Sequence, residues 1–246
     1  MRHSLTAAVA AMSIASGALA GIISQWTFEG DTTIASTGSG TASLVGGTSA
    51  TFATGNGVGR GWNTSTYKAQ GTGSGEAGVQ FLVSTASVGG GFGGISVSFD
   101  HRASGTNSRW AQVDYTLDGG STWVTSFWNN NGGLSPHDTF YTFTVDFSSV
   151  SGANNNAGFG FRIVSIFSPL AFDQSSTLNP YAANTAYMRA NAAAVYSPNT
   201  SAATGDYGTG GTWRFDNVTI NGTAIPAPGA VALVGLAGLV TTRRRK

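Results

Sequence analysis

Few residues in this sequence could do chemistry by themselves. Glutamate occurs as Glu29 and Glu76, cysteine is absent, and beyond His3 the histidines are His101 and His137. Asp100-His101-Arg102 and His137-Asp138 are the places where a histidine adjoins an acid. Adjacent residues on a strand point to opposite faces, so neither is a ready catalytic dyad. No Gly-x-Ser-x-Gly or His-Glu-x-x-His segment occurs. The inventory is thin for general acid–base or zinc chemistry. A pair of aspartates could still serve a glycosidase, so a secreted hydrolase stays in view as a third class, one that needs carboxylates clustered in a cleft. Aromatic residues are better supplied. Trp62, Tyr67, Trp110, Trp123, Trp128 and Trp213 could include rings that stack on sugars, and Trp128-Asn129-Asn130-Asn131 has the polar setting of a glycan-facing turn. Most tryptophans of a β-sandwich are nevertheless core.

The elements that must position these residues read as strands. Charged residues make up 9% of the 246-residue chain, against roughly 25% in ordinary globular proteins. Glycine is abundant, at 36 residues, yet aromatics reach 11% and sit in alternating runs that can bury enough apolar surface to fold. Period-two patterns predict strands at Ile22 to Phe28, Gly78 to Ser84, Gly94 to His101, Trp110 to Leu117, Trp123 to Trp128, Phe140 to Phe147, Phe159 to Phe167 and Trp213 to Asn221. Ile95, Val97 and Phe99 share one inward phase. So do Ala111, Val113, Tyr115 and Leu117, and again Phe159, Phe161, Ile163, Ser165 and Phe167. Val164 and Ile166 are apolar in the other phase, which suggests a central strand covered on both sides. In the last strand Trp213 and Phe215 share one phase and Val218 and Ile220 the other; a bulge near Asp216-Asn217 would reconcile them. Short antiparallel strands with Gly-rich turns imply an all-β, two-sheet sandwich of jelly-roll type. A barrel or β-helix is the alternative, although no fixed-period repeat supports a solenoid. Residues 168–211 break the rhythm. They form a long Ala/Ser/Asn/Tyr-rich connection, with a short helix expected at Asn184 to Val195, and the segment is a candidate contact surface.

Both ends read as addresses. Arg2 and His3, the apolar run Leu5 to Ile14, and Ala18-Leu19-Ala20 have the order of a secretory signal peptide over residues 1–20, with cleavage after Ala20. At the other end, Ile225-Pro226-Ala227-Pro228-Gly229 precedes an apolar run, Ala230 to Val240, and then Arg243, Arg244, Arg245 and Lys246. At 1.5 Å per residue such a helix covers only ~20 Å of a ~30 Å hydrocarbon core. It is short for a permanent anchor but suits a transient stop held by terminal cations. With the terminal basic residues set aside, the chain between carries seven basic and eleven acidic groups, a net of −4. That leaves no electrostatic footprint for nucleic acid. Without cysteine, stability outside the cell must come from burial, hydrogen bonds or a bound metal.

The tail resembles the PEP-CTERM sorting signal of envelope-building bacteria, in a Pro-Ala-Pro variant with Ala227 where that motif has Glu. The resemblance implies a membrane exosortase as partner, cutting near Pro226 and Pro228, and a transiently membrane-held C-terminal helix. The domains implied are a signal peptide (1–20), an extracellular β-sandwich (21–222) and a sorting tail (223–246), with hydrophobic helices flanking the sandwich. Thr116-Leu117-Asp118-Gly119-Gly120-Ser121-Thr122-Trp123 resembles the Asp-box, defined by Thr116, Asp118, Gly120, Thr122 and Trp123. It is a hairpin motif carried by sialidases away from their catalytic site and by non-enzymes. In a jelly roll the first and last strands neighbour one another. A similar arrangement in carbohydrate-binding modules sets an early Glu and a late Asp on a structural calcium, which here would be Glu29 and Asp216, completed by Asp31 and nearby carbonyls toward the six to eight oxygens of Ca²⁺. Thr41 to Gly55, the Asp-box segment, Phe159 to Phe167 and Trp213 to Gly222 together resemble a recurring domain of PEP-CTERM proteins and some secreted hydrolases. That likeness implies fold and location and assigns no activity. The leading expectation is a non-catalytic, exported surface or matrix protein. The alternative is a carbohydrate-binding module with a structural calcium and extracellular polysaccharide as partner.

Overall fold

A computed structural model of the chain describes residues 20–88, 90–126, 138–169, 184–190 and 207–226. It is an antiparallel two-sheet sandwich. The strands are β1 (Ala20–Trp26), β2 (Thr37–Gly38), β3 (Thr41–Val45), β4 (Ser49–Thr54), β5 (Arg60–Ser65) and β6 (Gly78–Leu82), followed by β7 (Phe92–Ala103), β8 (Ala111–Thr116), β9 (Val124–Thr125), β10 (Tyr141–Asp146), β11 (Gly160–Ser165) and β12 (Trp213–Ala224). Among the described residues the helical element is one 3₁₀ turn, Ser151–Ala153. The hydrophobic helices expected at the two ends lie outside the described residues, as do Ala18, Ala227, Pro228, Arg243, Arg244 and Arg245. Ala20 and Pro226 stand at the two limits of the described chain, both exposed.

The first sheet runs β10-β7-β12-β1-β2, with β5 pairing the start of β12 and β4 pairing β5. The second runs β3-β6-β11-β8-β9. First and last strands are neighbours, as the jelly-roll reading requires, with Trp26 opposite Val218 and Gly21 opposite Gly222. The phase conflict in β12 is resolved where expected. The register shifts between Asp216 and Thr219, and Asn217 takes a positive φ of 48°. One extra residue lets Trp213 and Phe215, and then Val218 and Ile220, all turn inward, and all four are fully buried.

The core lies between the sheets. Trp26 meets Phe81 at 5.0 Å, Phe81 stacks on Phe161 at 5.0 Å, and Phe28 stacks on Trp62 at 5.6 Å. Such offset and tilted ring pairs add about 0.5–1.5 kcal/mol beyond burial alone. β11 is the central strand of the second sheet, and Val164 on its outer face is as buried as Ile163 on its inner face. Leu117 departs from its expected inward phase and is 36% exposed, because β8 ends at Thr116 and the chain there has entered the turn.

The connection after β11 also differs from expectation. Residues 184–190 are not helical: Ser108 bridges Arg189 in the antiparallel sense, and Ala190 N–H donates to the Asn107 carbonyl. Tyr187 and Tyr207 are core residues. Their rings stack at 4.4 Å, and their hydroxyls donate to the carbonyls of Thr72 and Lys68. Burial raises the pKa of both phenols, Tyr187 to about 12. The described part of this segment is glued to the sandwich rather than offered to a partner.

Candidate functional site

Five antiparallel strands bring one polar residue each into a straight row on the outer face of the second sheet. Ser43 lies opposite Gln80, Gln80 opposite Arg162, Arg162 opposite Asp114, and Asp114 opposite Thr125. At ~4.8 Å between strands the row is ~19 Å long, the span of a short oligosaccharide. Its middle is fixed. Arg162 Nε donates to Asp114 Oδ2 at 2.7 Å, and Gln112 Nε2 donates to Asp114 Oδ1 and to Thr125 Oγ1. The guanidinium also lies over the Trp123 ring, 4.8 Å from its centre. Asp114 is buried and its charge is met by Arg162, while Gln80 and Trp123 are only half-buried. The Gln80 amide and the terminal nitrogens of Arg162 have no protein partner among the described residues. They are the donors and acceptors left for a hydroxyl-rich ligand.

The Asp-box segment shapes one edge of this face. Thr116 Oγ1 donates to Asp118 Oδ1 at 2.7 Å and accepts the Gly120 N–H at 2.9 Å. Asp118 also accepts Thr122 N–H and Thr122 Oγ1–H, at 2.9 and 2.6 Å. These bonds, led by the Thr122 hydroxyl, hold the Asp118 carboxyl down to about 2. The turn is closed on itself, and its product is the placement of Trp123 beside Arg162. Around the corner, Tyr115, Ser126, Val145, Asp146, Phe147, Ser149 and Val150 line a recess of about 240 Å³ between the edges of the two sheets.

A second cluster gathers on the first sheet. Asp100 and Asp216 are direct cross-strand partners on β7 and β12, an arrangement that is repulsive unless compensated. Compensation comes from amides. Asn56 Nδ2 and Asn217 Nδ2 donate to Asp100 Oδ2, Thr142 Oγ1 donates to Asp100 Oδ1, and Asp216 accepts the backbone N–H groups of Asn56 and Asn217. Burial, followed by the charges of Asp100 and Glu29, raises the Asp216 pKa. The loop carrying Asn56 can lie this close because its ends are glycines. A Cβ on Gly55 would stand 2.5 Å from Asp216 Oδ2, and one on Gly59 would stand 2.0 Å from Glu29 Oε1. With Asp100 and Asp216 only 6% and 3% exposed under that loop, neither presents an acid or a base to a substrate.

Of the three residues expected to hold calcium, Glu29 and Asp216 share one electrostatic field. Asp31 does not join them, because Arg60 takes both of its carboxylate oxygens. The oxygen donor set suits a hard cation. Among the described residues, however, no group of three or more His, Cys, Asp and Glu side chains is placed to hold a metal. Glu29, Asp216 and backbone carbonyls are therefore the fitting part of the expected set, and Asp31 is not.

The remaining candidates are structural. Trp62, Tyr67, Trp110 and Trp213 are all buried, so none of them is free to stack on a sugar. His101 is buried among Trp213, Phe215 and Phe143, and desolvation depresses its pKa to about 3. Trp128 and His137 lie outside the described residues. Sequence reasoning missed Gln80, Arg162 and Asn56. The two row residues sit singly in strands whose other members are apolar, and their alignment depends on pairings between strands far apart in sequence.

No protein-family model matches the sequence, and no curated protein is similar to it. Among solved structures, the chain is similar to the CBM22-1 xylan-binding domain of Paenibacillus barcinonensis Xyn10C, at 10% identity and a TM-score of 0.44, covering 86% of this chain and 99% of that one. It is also similar to the family 11 carbohydrate-binding module of Clostridium thermocellum, at 11% identity and a TM-score of 0.35, covering 84% and 99%. Resemblance this loose concerns the path of the chain, and nothing about a ligand follows from it.

Proposed function

We propose that this chain is a non-catalytic, exported domain that binds polysaccharide through the outer face of its second sheet. The in-register row from Ser43 to Thr125 carries the reading. It sets a fixed Arg–Asp pair, an unpartnered amide and a half-exposed tryptophan along one line. A glycan array probed with residues 21–224 tests it. Gln80→Ala and Trp123→Ala should each weaken binding several-fold, in keeping with the ~0.5–1.5 kcal/mol of a single hydrogen bond or ring contact. Binding that survives both substitutions would move the site off this face.

Glu29 and Asp216 support a structural Ca²⁺ in the same domain, at a distance from the glycan face. A cation bound only to the folded state raises its stability by mass action. Calcium should therefore raise the melting temperature and a chelator lower it, and Glu29→Gln should abolish the difference. An unchanged melting curve would remove the metal from the account.

The terminal segments support export and sorting of the PEP-CTERM kind. The secreted form should begin at Gly21 by mass spectrometry and end before Lys246. The four terminal cations resist translocation and would hold Ala230 to Val240 in the bilayer. Neutralising Arg243, Arg244 and Arg245 should disturb retention and processing and leave the fold of the sandwich intact. Identical processing of that variant and the wild type would separate the cations from the sorting step.

A further inference from the structure

The outer face of the first sheet holds a different kind of site. Arg102 on β7 and Arg214 on β12 are direct cross-strand partners. The inward phase of these strands is filled by buried His101, Ala103, Trp213 and Phe215, so both guanidinium groups leave by the same outward face. Like charges directly opposite destabilise a sheet, and a sequence tolerates them when something else offsets the repulsion. Arg60 on β5 adds a third cation, and its charge and that of Arg102 both act on Arg214.

Two carboxylates answer three arginines. Asp31 binds Arg60 through both oxygens, and Asp138 pairs with Arg102. Arg214 has neither. Its Nε donates to Asn63 Oδ1 at 3.1 Å and its Nη1 to the Thr54 carbonyl at 2.8 Å. These neutral acceptors fix the plane of the guanidinium without cancelling its charge, and they leave Nη2 unused. The neighbouring carboxylates cannot serve it. Asp100 and Asp216 are filled by Asn56, Asn217 and Thr142, and Glu29 accepts the Arg60 backbone N–H. The result is a half-exposed, oriented, surplus cation with a second arginine beside it. That is the arrangement that grips a planar carboxylate or a sulfate.

We propose that this face binds an acidic polysaccharide, with Arg214 and Arg102 holding one uronate carboxylate or sulfate ester. The flanking Asp31 and Asp138 favour such a chain over nucleic acid. Duplex DNA carries a charge every ~1.7 Å along its axis and would press phosphates onto both aspartates. A polysaccharide with one charge per sugar can seat it on Arg214 and keep the others clear. This site is on the opposite sheet from Gln80 and Arg162 and does not depend on them.

Affinity electrophoresis of the full chain in gels containing polygalacturonate, a sulfated galactan, a neutral xylan or duplex DNA tests the assignment. The two acidic polysaccharides should retard the protein, with retardation weakening as salt rises. Arg214→Gln should lose about ten-fold or more in affinity, the scale of one charge-assisted contact. Arg214→Lys should recover part of it. Asp138→Asn should bind several-fold more tightly, because it frees Arg102, and that gain could not come from a misfolded protein. Gln80→Ala should change nothing here, which separates this site from the neutral-glycan face. Equal retardation of wild type and Arg214→Gln, retardation by xylan as strong as by polygalacturonate, or stronger retention by DNA would each overturn the proposal. So would an adventitious ion only, meaning that inorganic sulfate protects the protein against thermal unfolding while no polymer is bound.

Discussion

Replacing Trp213 by alanine is expected to remove about 4 kcal/mol of stability, enough to unfold much of the population of a domain stabilised by ~5–15 kcal/mol. Trp213 opens β12 at the point where that strand meets both β5 and β7. Its ring is wholly buried, 5.0 Å from Tyr67 and 5.2 Å from His101. Its indole N–H donates to the Ser108 carbonyl at 2.8 Å, pinning the chain between β7 and β8. Truncation would open a cavity and strand that buried carbonyl, and the two penalties add. Trp123→Ala is the control. That ring is half-buried on the outer face, and its loss should cost about 1 kcal/mol or less. Urea titrations of the two variants should separate widely in midpoint. Equal midpoints would mean that the junction of β5, β7 and β12 does not organise the core.

The same contrast shows what the sequence made legible. In β7 and β12 the apolar residues alternate cleanly, so the phase, the bulge at Asp216-Asn217 and the pairing of first and last strands could all be anticipated. β3, β4 and β5 could not be read as strands, because Thr41–Val45, Ser49–Thr54 and Arg60–Ser65 are rich in Ser, Thr and Gly. In β5 a single large apolar residue, Trp62, faces the core, and one residue makes no period. The polar row and the Arg102–Arg214 pair were hidden for another reason. Each needs a register between strands that are distant in the chain, and hydrophobic alternation fixes which face a residue takes but not its partner. Tyr187 and Tyr207 misled in the opposite direction. A polar, Ala-rich setting suggested exposure, yet their stacking against one another buries both.

Acid should destabilise this domain well before its carboxylates titrate, and His101 is the cause. Burial holds its folded pKa at about 3, against 6.5 for a free imidazole, so between those values the unfolded chain binds a proton that the folded protein refuses. The stability is fully present above pH ~6.5 and falls by about 1.4 kcal/mol for each pH unit below it, until the folded pKa is reached. Asp216 acts in the opposite sense. Its raised folded pKa means that the native state takes up a proton before the unfolded chain does, which adds stability as pH falls toward 3.8. Asp118, held at about 2, loses its contribution only below 3.8. Between pH 6.5 and about 4.5 the slope therefore belongs chiefly to His101 among the described residues. His101→Phe places a neutral ring against Phe143, Trp213 and Phe215, and it should flatten the acid limb in urea titrations across that range. If the variant keeps the wild-type slope, the proton is being refused somewhere else. If the slope disappears, the histidine that looked most like a catalytic residue in the sequence acts on the fold alone, because an imidazole that stays neutral down to pH ~3 inside an aromatic cage cannot exchange protons with a bound substrate near neutrality.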